Sequence, residues 1–185
     1  MKRISSILKF LLQFFPLTVF LKVAFHSGAP QAGDWLNAFM WAGAAAILQL
    51  VLLLFFTRGE PLNRLVVSIN VYFILGGIAV LTNQIGFLEI LNKLKESGIF
   101  LCMLVVGIVT TFASKAGFVG IVDFSRQGDI RHYSLVLIML TAVGLVLSFW
   151  FRGHILLSSC PLIVIGLTNQ FFKRQLQRSQ SGSLP

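Results

Sequence analysis

The chain has 185 residues, 56% hydrophobic and only 11% charged, and 15 Lys and Arg against 6 Asp and Glu give a net charge of +9; its mean hydropathy is +0.86. A soluble domain carries about 25% charged residues, so the composition excludes a water-coated globule. It excludes a disordered chain by hydrophobicity and a disulfide scaffold by its two cysteines.

Six apolar segments follow one another: Ile4 to Phe25, Trp35 to Thr57, Leu65 to Leu81, Ile99 to Phe118, Tyr133 to Phe151 and Ile155 to Phe172. Several are too long for strands, and none shows period-2 alternation, which excludes a transmembrane barrel. The expected fold is all-α, a polytopic transmembrane helical bundle of about six spans. One domain is expected over residues 1–175, with a disordered cytoplasmic tail over 176–185.

The first segment holds Lys9, Gln13, Pro16 and Lys22. It reads as a kinked or re-entrant span, with a cleaved signal peptide (Lys2-Arg3, an apolar middle, Ser27-Gly28-Ala29) as the alternative that leaves five spans. His26 to Asp34 is turn-rich, and Asp34 is placed to cap the second helix. Arg58-Gly59-Glu60-Pro61 ends that helix. Between Asn83 and Gly98 an amphipathic stretch carrying Phe87, Leu88, Ile90, Leu91 and Leu94 predicts a short helix lying at the interface. Arg152-Gly153-His154 leaves room only for a tight turn.

Lys and Arg are distributed unevenly over the loops. Eleven fall on the face that also carries both termini, with three acids; the other face has three of each, and Lys22 stands within the first segment. The positive-inside rule then makes both termini cytoplasmic. Nucleic acid is not the expected partner, because no basic run is interleaved with exposed aromatics. The expected partners are the bilayer and other membrane proteins. Lys173, Arg174 and Arg178, just beyond the last span, are the candidate anionic-lipid contacts.

No metalloprotease His pair, phosphate loop, Cys-x-x-Cys or nucleophile elbow occurs. No catalytic residue, cofactor or metal is therefore assigned, and the chain is not read as an enzyme. His26, His132 and His154 fall in three loops, two of them outside, so a three-His metal would have to bridge the bilayer. Cys102 and Cys160 fall in outer helix halves, where each reads as a small buried hydrophobe, a disulfide being the alternative. No Asp or Glu stands at the centre of a span, which argues against a coupled transporter.

Polar and small residues recur in stripes: Asn70, Gly77 and Gln84 on the third segment, Ser134, Thr141 and Ser148 on the fifth. Ala113-x-x-x-Gly117 and Ala116-x-x-x-Gly120 mark the fourth, and Ala42 to Ala46 the second. Asn70, Gly77, Gln84, Ala113 and Gly117 are the candidate helix-packing positions. A polar pathway for a solute is the alternative use of such stripes.

Leu8-Lys9-Phe10-Leu11-Leu12-Gln13-Phe14-Phe15-Pro16-Leu17-Thr18-Val19-Phe20 resembles the opening of the intracellular septation protein A family, with Lys22 near its aromatic-Lys step. Leu75-Gly76-Gly77 and the polar interval after it look like the family's middle. The chain departs at Ile130-Arg131-His132-Tyr133-Ser134-Leu135, where the family has a Trp-bearing entry to a span. The resemblance implies a structural or interaction role in cell-envelope maintenance or division. A transporter or channel subunit for a small solute is the alternative. A lipid-acting enzyme is a third class, with Asp123, Arg126, Asp129, Arg131 and His132 as its only headgroup patch.

Overall fold

A computed structural model describes residues 15–26, 28, 32–56, 62–121, 127–151 and 154–181. The described residues form seven α-helices and no strand: α1 (Phe15–Ala24), α2 (Ala32–Phe56), α3 (Arg64–Leu81), α4 (Ile85–Leu94), α5 (Ser97–Ala113), α6 (Gln127–Trp150) and α7 (Ile155–Ser181). The expected all-α class is the observed one.

The expectation of about six spans is not confirmed. Among the described residues three helical stretches, Gly33–Phe55, Arg64–Leu81 and Gln127–Trp150, are long and apolar enough to cross a membrane, and α4 with α5 makes a fourth if the pair is one broken span. At 1.5 Å per residue, ten-residue α1 is about 15 Å long against a hydrocarbon core of roughly 30 Å. Residues 1–14, with most of the septation-like stretch, lie outside the described residues, as do Ser27 and Ala29 of the signal-peptide reading.

The chain divides into two compact units, Met1–Leu62 with Val66–Lys93 and Asn63–Leu65 with Leu94–Pro185, where the sequence predicts one domain. In the first, α1, α2 and α3 gather aromatic rings: Phe20 lies 5.3 Å from Trp35 and 5.1 Å from both Phe39 and Phe73. Glycine lets two backbones meet beside that cluster. A Cβ on Gly43 would come 3.0 Å from the Phe73 carbonyl oxygen, and one on Gly77 would come 3.2 Å from that of Phe39. Gly77, one of the stripe residues, thus lies where the backbones of α2 and α3 approach each other. Asn70 is fully buried in α3 as well, and neither its Oδ1 nor its Nδ2 has a partner among the described residues.

Gln84 does not continue that face. α3 ends at Leu81, Asn83 takes φ +52°, and the N–H groups of Asn83 and Gln84 return to the Val80 and Ala79 carbonyls. This is a Schellman closure, which leaves the Gln84 side chain exposed. The amphipathic stretch then forms α4, with Leu91 buried and Ile85, Phe87 and Ile90 exposed.

In the second unit α6 packs against α5 and α7. One face of α6 is buried throughout: Ile130, Ser134, Leu137, Thr141, Gly144 and Ser148, two interleaved rows at seven-residue spacing. Phe100, Met103, Phe118, Val119, Ile165 and Leu176 complete that core. A Cβ on Gly144 would stand 3.1 Å from both Phe100 Cε1 and Pro161 Cβ, so three helices meet at this glycine. α7 runs to Ser181, six residues into the stretch expected to be a disordered tail. Leu176, buried in the core, holds the extension in place.

Candidate functional site

The polar chemistry of the second unit gathers where α5 stops and α6 starts. α5 ends at Ala113; Ser114 is extended (φ −122°, ψ 135°) and diverts the chain into a run of turns. Gly117 (φ +57°) and Gly120 (φ +77°) supply the left-handed residues these turns require. Ser134 of α6 secures the run, its Oγ accepting from the N–H of Phe118 at 3.0 Å and of Val119 at 3.4 Å. A Cβ on Gly117 would collide with that same Oγ.

This corrects the reading of Ala113-x-x-x-Gly117 as a helix-packing ridge. Ala113 is the exposed last residue of α5, and Gly117 lies beyond the helix, buried in a turn. Four-residue spacing makes a ridge only while the helix continues, and here the extended Ser114 ends it. Ala116 and Gly120 lie in the same turns.

Ser114 also bonds to Asn63–Leu65, the short stretch that belongs to the same unit. Asn63 Oδ1 accepts the Leu65 N–H at 3.3 Å, an N-cap bond that starts α3. The next residue, Arg64, donates from Nη2 to Ser114 Oγ at 3.4 Å. Lys173 of α7 is half-buried nearby, and burial, with the Arg64 guanidinium adding to it, pushes its ammonium below the ordinary lysine range.

Beside these groups is a cleft of about 420 Å³, walled by the end of α5, the turns after it and the first turn of α6. Lys115 and Arg131 bring positive charge to it, and Ser114, Thr111 and Gln127 bring polar groups. The Arg131 guanidinium lies over the Phe112 ring, 5.5 Å from its centroid, which fixes the cation at the rim. Thr111 Oγ1 is buried with no hydrogen-bond partner among the described residues. Asp129, exposed in the first turn of α6, is not among the cleft walls.

The three residues expected to contact anionic lipid are placed differently from one another. Lys173 is half-buried towards Arg64, Arg174 is exposed, and the side chain of Arg178 lies outside the described residues. Arg174 and Arg178 do stand one helical turn apart on α7. Of the loop patch, Asp123 and Arg126 lie outside the described residues, while Asp129, Arg131 and His132 begin α6. Cys102 is half-buried and Cys160 exposed, and both are free thiols. Among the described residues no group of three His, Cys, Asp or Glu is gathered as a metal site.

Sequence reasoning missed Arg64 and Ser114 as members of this site. Their signal was the end of an apolar segment marked by a polar pair, Asn63-Arg64 and Ser114-Lys115. No family model, curated protein or solved structure matches the chain.

Proposed function

We propose that this chain is an integral protein of the bacterial inner membrane with a structural or interaction role in cell-envelope maintenance or division. Both termini are cytoplasmic in this reading. The observation that carries it is the face of α6 on which Ser134, Thr141, Gly144 and Ser148 are all buried in helix packing. Thr141 Oγ1 donates to the Leu137 carbonyl at 2.7 Å, and Ser134 holds the turns after α5. The stripe is thus closed off inside the protein, Thr141 bonded back to its own helix and Ser134 to the turns after α5, which supports a scaffold over a solute conduit. The resemblance of Leu8 to Phe20 to the septation protein family supports the placement in the envelope.

Outward faces suited to lipid or to other membrane helices accompany this packing. Trp41, Leu54 and Phe55 of α2 and Met139, Val146 and Trp150 of α6 are all strongly exposed. Cross-linking in native membranes followed by purification in mild detergent tests the role. Envelope or division proteins are expected in the eluate. A lone homo-oligomer retaining a small solute overturns the reading in favour of transport.

A further inference from the structure

The cleft at the α5–α6 junction has features of an anion site that no part of the scaffold role requires. Its walls carry two cations, Lys115 in the turns after α5 and Arg131 on α6, and the hydroxyl-bearing Ser114. Gln127 and Gly128 place the start of α6 in the wall, and the first four N–H groups of a helix have no partner inside it. A tetrahedral anion suits this mixture of a guanidinium, an ammonium and backbone donors.

The surroundings say what carries the anion. From the Arg131–Phe112 contact two apolar rows lead away from the cleft, Phe112, Ile108 and Val105 along α5 and Leu135 and Met139 along α6, all exposed. A soluble phosphate ester has nothing to lay on such rows, whereas acyl chains do. The junction also lies at the end of one apolar helix and the beginning of the next, the depth at which phospholipid headgroups sit.

The geometry points to a binding site for an anionic phospholipid: the phosphate held in the cleft by Arg131, Lys115 and the first turn of α6, the acyl chains lying on the exposed rows of α5 and α6. This rests on the membrane reading above and names a ligand for it. Basic pockets between transmembrane helices on the cytoplasmic side hold anionic headgroups in this way.

The full-length protein, delipidated in mild detergent, is titrated with phosphatidylglycerol, phosphatidylcholine or inorganic phosphate, and bound lipid is counted by native mass spectrometry. Phosphatidylglycerol is expected to bind in preference to phosphatidylcholine, and millimolar inorganic phosphate is expected not to displace it. The paired change Lys115→Gln with Arg131→Gln is expected to weaken phosphatidylglycerol about thirty-fold. Lys93→Gln with Lys95→Gln, an equal loss of charge elsewhere, leaves binding unchanged. The charge-conserving pair Lys115→Arg with Arg131→Lys retains it, which separates loss of the site from loss of the fold. Equal binding by the Gln pair and the parent, or equal binding of both lipids, overturns the site. Displacement by inorganic phosphate overturns the lipid assignment in favour of a soluble phosphate ester. Carbonate-resistant membrane fractionation of each variant tests the membrane reading independently.

Discussion

Gly117 combines two constraints that its sequence context gives no hint of. Its φ of +57° suits glycine, and a Cβ there would strike Ser134 Oγ. Gly117→Ala is expected to destabilise the protein by about 1–3 kcal/mol, read as a lower thermal midpoint in detergent. Gly128→Ala is the matched control, since nothing lies within 4 Å of its added methyl group, and it is expected to leave the midpoint unchanged. Ser134→Ala tests the other side of the same contact. It strands the N–H groups of Phe118 and Val119, at an expected cost of about 1–3 kcal/mol.

Lys173 makes a prediction in pH. Its folded-state value lies below the ordinary 10.5 because of burial and the Arg64 charge. Between the folded and unfolded values the unfolded chain binds more protons, so stability rises with pH across that window. Below the window the buried ammonium is a standing penalty. The thermal midpoint of the parent is therefore expected to climb as pH approaches 10.5, and Lys173→Met is expected to remove that component of the climb. An unchanged slope in the variant means that Lys173 is not the group responsible.

At the scale of elements, α6 is the helix on which the second unit depends. Gly144 meets Phe100 of α5 and Pro161 of α7, so Gly144→Val wedges three helices apart at an expected cost of about 1–3 kcal/mol. Val143→Leu, one residue away on the exposed face, is expected to be silent. The two midpoints measured together separate packing from helix propensity. α1 offers a parallel test in the first unit. Phe20 touches the rings of Trp35, Phe39 and Phe73, and Phe20→Ala is expected to cost about 3–5 kcal/mol.

For the molecule as a whole, the positive-inside arrangement predicts sidedness. Single cysteines in a background lacking Cys102 and Cys160 report it through an impermeant thiol reagent added outside intact cells. Gly33 and Asn92, both exposed, are expected to react, and Lys115 and Gln127, also exposed, are expected to be protected. Reaction of the second pair in place of the first reverses the orientation.

The all-helical class and the lipid-compatible surfaces follow from the sequence alone, because long apolar segments without alternation can satisfy their backbones only as helices. The Ser134, Thr141, Ser148 stripe was legible for the same reason: a seven-residue recurrence keeps one face of a helix, and that face is buried. Helix ends were not legible in this way. Asn70, Gly77 and Gln84 share the same spacing, yet a Schellman turn removes Gln84 from the face, and the extended Ser114 does so to Gly117. The length of α7 beyond Phe172 was decided by Leu176 joining the core of the second unit, which periodicity cannot reveal. The cleft, too, is a product of tertiary structure. Arg64, Ser114, Arg131 and Lys173 stand on four segments whose charges the sequence explains as topology signals. Only tertiary structure brings these four residues into one unit, where Ser114 and Arg131, with Lys115, wall a ligand-sized space, because periodicity within a segment does not say which segment ends meet.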